Sequence, residues 1–400
     1  MAITATVTGG LVQLTGNPVF INCEGASIPF GASEYMILLR IISQDGKLEG
    51  APFEVGMSPD ATGKCTFNIS AYLDAPLPVT FDNYMSAKYM TYPTRAFNIQ
   101  IQPGERFINS SNQLEENWFA VSSVFQMVKG GLTQRQNAMM KAENKNFYST
   151  YIEGKKFLTP RPDGDLVHPS QPVKLWFMPV ESVVANINLK VYYDDLTDTT
   201  VSTSVSISAD HLNEFNCNPA VHGLQMETST KKIIYYEFWI SSNSTLYSDV
   251  RRFNVDWTYC ERPYFLFFAN SLGGIDDVYL RGYGTDIFNV TNSLAYRPVQ
   301  PEDTVFTPTI VAPNKSGQNK WKINSGWKSI PTIQFYRDLM LSKQAWFLYS
   351  NISMTSQIII PIIITNADVE LVNRMDDQWS IDIEFVEAHT SRFSFDNRMY

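Results

Sequence analysis

Six stretches of this chain alternate apolar and polar residues almost without error: Lys64 to Ile69, Phe97 to Gln102, Asn186 to Tyr193, Thr200 to Ile207, Phe253 to Tyr259 and Trp379 to Phe385. A period of two marks a strand with one face buried and one face wet. Around them, the first 130 residues read as strands throughout. The candidates are Ala2 to Thr8, Pro18 to Cys23, Tyr35 to Ser43, Lys64 to Ile69, Phe97 to Gln102 and Trp118 to Val128. Gly9-Gly10, Gly16-Asn17-Pro18, Asp45-Gly46 and Gly63 supply the turns between them. Residues 72–95, with Pro76, Pro78 and Pro93, break the pattern and read as a surface loop.

Alternation disappears from 131 to 171, where Gln, Asn, Lys and Pro accumulate. Arg135, Lys141, Lys145, Lys155, Lys156 and Arg161 there face only Glu143 and Glu153 before Pro162. A short helix from Thr133 to Glu143 fits its Ala and Met content; the rest reads as an extended basic arm or linker. Strands resume over 172–295: Val173 to Met178, Ile187 to Tyr193, Val201 to Ile207, Ile233 to Ile240, Val250 to Tyr259 and Tyr264 to Asn270. From 296 to 400 a proline-rich link leads to the strongest helix signal. Ser329 can cap it, Pro331 fits its first turn, and Ile333, Tyr336, Leu339 and Met340 share a face. Ile358 to Thr365 follows as a strand that Pro361 assigns to an edge or bulge.

Many short strands separated by turn signals predict a mainly β protein: tandem antiparallel sandwiches of immunoglobulin or fibronectin-III type over 1–130 and 172–295, then a β-rich C-terminal domain with one helix near 331–342. Two echoes support a repeated design. Gly63-Lys-Cys-Thr-Phe-Asn68 resembles Leu212-Asn-Glu-Phe-Asn216, and Val124 to Leu132 resembles Phe267 to Ile275, each of the latter carrying Gly-Gly.

Composition narrows the function more than the fold. With a formal charge of −9 the chain lacks the basic footprint of a protein that wraps nucleic acid, so no sequence-specific nucleic-acid binding is expected. Cys23, Cys65, Cys217 and Cys260 form no CxxC or metal spacing and read as core thiols; a Cys23–Cys65 bridge stays open. The longest aliphatic run, Ile358 to Ile364, is too short to span a bilayer. The segment MAITATVTGG has neither a charged n-region nor an apolar h-region, so the expectation is synthesis and retention in a cytoplasm. The six Asn-x-Ser/Thr sequons then read as background.

Chemistry-bearing patterns are scarce. His168, His211, His222 and His389 stand in no HxH, HxxxH or HExxH spacing. Asp163/Asp165, Asp194/Asp195/Asp198, Asp276/Asp277 and Asp376/Asp377 flank turns, where Asp bonds nearby backbone amides. GxSxG and Walker A patterns do not occur, and Gly273-Gly274-Ile-Asp-Asp reads as a hairpin turn. No enzymatic activity, metal or cofactor is expected. Tyr264, Phe265, Phe267, Phe268, Trp321, Trp327, Trp346 and Phe347 could instead line a sugar-binding platform, or form sheet core and subunit interface.

Residues 264–284 (YFLFFANSLGGIDDVYLRGYG) resemble a motif of tail-associated structural proteins of tailed bacteriophages and prophages: an aromatic strand, Asn, Leu-Gly-Gly and a second aromatic strand. Residues 321–348 and the following Ile359-Ile-Pro-Ile-Ile-Ile-Thr are similar to the end of those proteins, with Asp338-Leu-Met-Leu-Ser342 departing slightly from their helix ending. Lys156 to Pro160, Gln171-Pro172 and Gly16-Asn17-Pro18 fit as well. The resemblance carries no catalytic residues. It implies a virion structural protein of the tail, collar or baseplate, made in the bacterial cytoplasm and assembled as a homo-oligomeric ring against other tail or collar proteins. Subunit clamps are then expected at Lys141, Lys145, Lys155, Lys156 and Arg161 and at Phe393 and Phe395 in the tail. The alternative is a carbohydrate-binding or host-adhesion module on the same sandwiches.

Overall fold

A computed structural model describes residues 3–8, 10–24, 32–47, 51–74, 87–92, 95–209, 211–243, 245–296, 310–350, 357–366, 378–389 and 391–392. The described residues are mainly β. The expected clamps Phe393 and Phe395 lie outside the described residues, as do most of the 72–95 loop and of the proline-rich link.

The first region runs β1 (Thr4–Val7), β2 (Val12–Leu14), β3 (Phe20–Glu24), β4 (Ser33–Ser43), β5 (Phe53–Met57), β6 (Cys65–Asn68), α1 (Ser70–Asp74), β7 (Tyr89–Tyr92), β8 (Ala96–Ile108), β9 (Leu114–Trp118) and β10 (Phe125–Val128). One sheet has the order β1-β3-β6; the other has β2-β10-β8-β4-β5, with β9 on β8. Alternation does the expected work: Cys65, Phe67 and Ile69 enter the core with Ile37, Leu39 and Ile41 of β4 and Phe97, Ile99 and Ile101 of β8. The polar members of the same strands stay at the surface.

After α2 (Gln134–Ala142) the second region runs β11 (Asp165–Val167), β12 (Lys174–Phe177), β13 (Val183–Tyr193), β14 (Asp198–Ile207), β15 (Leu212–Asn216), β16 (Ile233–Ser242), β17 (Thr245–Leu246) and β18 (Arg251–Val255). Its sheets repeat the first plan: β11-β18-β16-β13-β14 with β17 on β16, facing β12-β15-β7. Each larger sheet opens with a short strand parallel to its last one, β2 on β10 and β11 on β18. The first sequence echo falls on matching strands, β6 and β15. The second does not, because β10 closes the first sandwich while Phe267 belongs to the next region.

The third region holds β19 (Tyr264–Ala269), β20 (Ile275–Leu280), β21 (Gly284–Tyr296), β22 (Ile310–Asn324), β23 (Lys328–Ser329), α3 (Ile330–Leu341), β24 (Ala345–Ser350), β25 (Gln357–Ile364), β26 (Gln378–Trp379), β27 (Asp382–Glu387) and β28 (Ser391–Arg392). Its main sheet has the order β20-β19-β24-β25-β27-β22-β21. Ile333, Tyr336 and Leu339 of α3, three apart, share a core with Trp321, Phe347 and Phe385. Ser329 takes the N-cap conformation, but its hydroxyl meets Thr332 Oγ1 at 3.0 Å rather than a backbone N–H. Pro361 is not at an edge: β25 lies between β24 and β27. The Ala388 N–H donates to Pro361 O at 2.9 Å, and the ladder to β27 stops there, where proline cannot return the bond.

The compact units are bounded differently from the sequence regions. One comprises Met1–Asp256 with Ala269–Asp276, and the other Trp257–Phe268 with Asp277–Tyr400. The two sandwiches fall in one unit because β7, from the first, forms the edge of the second's smaller sheet, Leu212 pairing with Tyr92 through Phe215 with Tyr89. The expected extended arm is also folded into this unit. Thr133 caps α2 through a capping box with Gln136, a single π turn spans Tyr148–Ile152, and β11 joins a sheet. Phe147, Ile152, Phe157 and Leu158 are buried along it at irregular spacing, which left no period to read.

Candidate functional site

Strands β12 and β15 decide the centre of the first unit. Leu175, Phe177 and Phe215 point into the second sandwich, where Phe157, Phe177, Phe215 and Phe238 form a cluster of ring contacts. Pleating therefore sends Lys174, Trp176, Glu214 and Asn216 to the other face. In a two-layer sandwich that face is normally wet, yet all four side chains are buried.

Three pieces cover Trp176. The Tyr92 ring lies 5.1 Å from Trp176, and the Arg95 guanidinium stands over the Trp176 ring at 4.3 Å. The turn that follows β19 supplies the third. Trp176 Nε1 donates to Ile275 O at 2.7 Å, and a Cβ on Gly274 would lie 2.7 Å from Trp176 Cδ1. Only glycine permits that approach. Beside it, Lys174 Nζ donates to Glu214 Oε1 at 2.6 Å, so the buried charges compensate each other.

The turn itself, Asn270 to Asp276, is a polar plug. Asn270 Oδ1 accepts from the Leu272 and Gly274 amides at 3.0 and 2.9 Å, while its Nδ2 donates to Leu158 O at 2.9 Å and Asp276 Oδ2 at 2.8 Å. Thr159 Oγ1 donates to Asp276 Oδ1 at 2.8 Å. Gly273 takes φ +96° beside Val128, and the Gly131 N–H donates to Ser271 O at 2.9 Å. Gly273-Gly274 does form the predicted hairpin turn. Its anchoring role was missed, and the available signal was an Asn and an Asp bracketing Gly-Gly between two apolar strands. Both carboxylates here, Glu214 and Asp276, are occupied by donors from the chain. The arrangement joins elements; it presents no acid–base pair to a substrate.

The other candidates have the following surroundings. Lys141, Lys145, Lys155 and Lys156 are exposed, with Lys145 on Glu143 at 2.9 Å and Lys155 over the Tyr247 ring at 4.3 Å. Arg161, expected at a subunit surface, is only 2% exposed and pairs with Asp165 at 3.6 Å, so it is core in this chain. His168 and His211 each meet a serine hydroxyl, on Ser170 and Ser208. His222 is buried with Nε2 2.7 Å from Asn216 O, a contact that requires the proton on Nε2; burial holds its pKa below the ordinary histidine value. Asp195 accepts from the Thr197 amide two residues on, as turn aspartates do, whereas Asp163 accepts from the Arg252 amide and Asp194 from the Lys232 amide and so tie distant segments together. Asp376 and Asp377 lie outside the described residues.

Of the eight rings proposed for a sugar platform, Trp327 alone is exposed, at 60%; Trp346 is half-buried and the other six are core. A cleft of about 240 Å³ opens beside β10, walled by Leu11, Phe125, Tyr148, Ile152, Pro179 and Val180; Tyr148 is its one titratable lining residue. Among the described residues no group of three or more His, Cys, Asp or Glu is placed to hold a metal ion, and no helix is long and apolar enough to cross a membrane.

No family model and no curated protein matches this chain. A solved structure that does match is the native conformation of E. coli alpha-2-macroglobulin, determined by cryo-EM, at 10% identity and a TM-score of 0.18. The match covers 81% of this chain and 25% of that one, so this chain spans about a quarter of that protein's length. A likeness of this grade carries no functional argument.

Proposed function

We propose that this chain is a structural subunit of the tail, collar or baseplate of a tailed bacteriophage or prophage virion, assembling with copies of itself into a ring and docking on other tail or collar proteins. The observation that carries this reading is the free edge of the third-region sheet. β21 pairs with β22 over 12 registered residue pairs and ends the sheet among the described residues. At roughly 3.4 Å per residue its 13 residues make an edge about 44 Å long. Ile287, Phe288, Val290, Leu294 and Tyr296 along it are all exposed. Asp286 is its one charged residue, and it contains no proline.

Proteins that remain monomeric blunt such edges with lysine, proline or short strands. A long apolar edge without those devices is built for strand addition by a neighbour. The two segments that resemble tail proteins are structural in the same sense: one is the β19–β20 hairpin with its buried plug, the other the α3 helix with β24. A ring needs this edge to meet a different surface on the next copy, so that contacts run head to tail and close.

The test is the assembly state of the full chain by native mass spectrometry and negative-stain imaging, beside the variant Ile287→Lys/Val290→Lys. Both positions are exposed, so the fold should lose no more than about 1 kcal/mol for the two changes together. Rings of the parent and smaller species of the variant support the proposal. A parent that stays monomeric at tens of micromolar, or a variant that assembles equally well, overturns it.

A further inference from the structure

Cys23 on β3 and Cys65 on β6 are register partners, placed directly opposite each other in an antiparallel pair. Side chains at opposed positions emerge on the same face, and both thiols enter the first sandwich core. The Ile69 N–H to Val19 O bond of 3.0 Å fixes the phase of this ladder. Counting from Val19/Ile69 by twos makes Cys23/Cys65 a hydrogen-bonded pair, a class with Cα atoms about 5.5 Å apart. That separation lies within the disulfide range of roughly 4.4–6.8 Å. The two thiols therefore lie side by side on one face of the β3–β6 ladder.

We propose that Cys23 and Cys65 form a dithiol–disulfide site, closing an intrachain bond across β3 and β6 when a small-molecule disulfide oxidises them. The two residues are not equivalent, and this sets the order of events. Cys23 is fully buried on the central strand of the β1-β3-β6 sheet, whereas Cys65 is 8% exposed on its terminal strand, just after the Asp60–Gly63 turn. The neighbouring Cys23 thiol also holds the Cys65 thiol below its ordinary pKa, which favours the nucleophilic thiolate there, while Cys65 and burial push Cys23 up.

Cys65 therefore attacks first. Its thiolate sulfur bonds to one sulfur of the oxidant, the oxidant S–S bond breaks, and one small thiol leaves. Cys23 then gives up its proton to solvent and attacks the Cys65 sulfur, releasing the second small thiol. The sum is one protein dithiol plus one small disulfide going to one protein disulfide plus two small thiols. A bond here ties the ends of the chain between β3 and β6, including all of β4 and β5.

The experiment uses the full chain incubated with oxidised glutathione, quenched in acid, unfolded, alkylated and mapped by mass spectrometry. The expected product has lost two hydrogen masses, with Cys23 and Cys65 in one linked peptide pair and Cys217 and Cys260 still alkylated. Mapping the unsubstituted chain needs no core variant. The Cys23→Ser chain, if folded, should trap glutathione on Cys65, while Cys65→Ser should leave Cys23 unmodified. Complete alkylation of both thiols after prolonged oxidation, a link to another cysteine, or trapping on Cys23 in preference to Cys65 would overturn the proposal.

Discussion

Replacing Lys174 by methionine should be among the most damaging single changes in the first unit. Lys174 and Glu214 are 1% and 5% exposed at their side chains and 2.6 Å apart, with Trp176 the register partner of Glu214. Methionine keeps most of the aliphatic stem but leaves Glu214 as a buried carboxylate without that cation. Breaking one partner of a buried pair costs about 3–5 kcal/mol, because the surviving charge keeps its desolvation penalty. With a urea dependence of roughly 2–3 kcal/mol per molar, the unfolding midpoint should fall by about 1–2.5 M. Glu214→Gln alone should be destabilising for the mirror reason. The double variant Lys174→Met/Glu214→Gln should recover at least half the loss, since no buried charge remains uncompensated. The assay is urea unfolding followed by tryptophan fluorescence, to which buried Trp176 contributes together with the chain's seven other tryptophans. A midpoint shift below about 0.3 M for Lys174→Met, or strict additivity in the double variant, would refute the reasoning and make the pair an incidental contact.

Other consequences follow from the same unit. Gly273→Val places a branched side chain at φ +96° with its Cβ 2.4 Å from Val128 Cγ1; about 2–5 kcal/mol should be lost by strain and overpacking, and a thermal midpoint within a degree of the parent would contradict this. Trp176→Phe removes the donor to Ile275 O and should cost about 1–3 kcal/mol, read in the same urea titration. His222 is held below its ordinary pKa of 6.5 by burial. As pH falls through that value the unfolded chain binds a proton and the native chain does not, so stability should drop by up to about 1.4 kcal/mol per pH unit. His222→Gln keeps a donor toward Asn216 O and should flatten that slope between pH 7 and the lower native pKa; an unchanged slope assigns the pH dependence elsewhere.

The sequence by itself determined the class of fold and most elements whose burial is one-sided. Cys65, Phe67 and Ile69 announce a half-buried strand because neighbours two apart share a face, and Ile333, Tyr336 and Leu339 announce a helix in the same local way. It also placed α2 between Thr133 and Glu143 from its good helix formers Ala and Met, while the Thr133–Gln136 capping box emerged only in the fold. What it could not show is how pieces far apart in sequence cover one another. β21 carries exposed apolar and polar residues on both faces and so has no contrast to detect. β12 and β15 read Lys-Leu-Trp-Phe and Leu-Asn-Glu-Phe-Asn, and all nine residues are buried, polar ones included. On their outer face Trp176 is covered by Tyr92, Arg95 and Ile275, which arrive from positions many residues distant. Periodicity records the difference between a strand's two faces. Where tertiary structure buries both, or leaves both in water, that difference vanishes and only the folded chain reveals which of the two has happened.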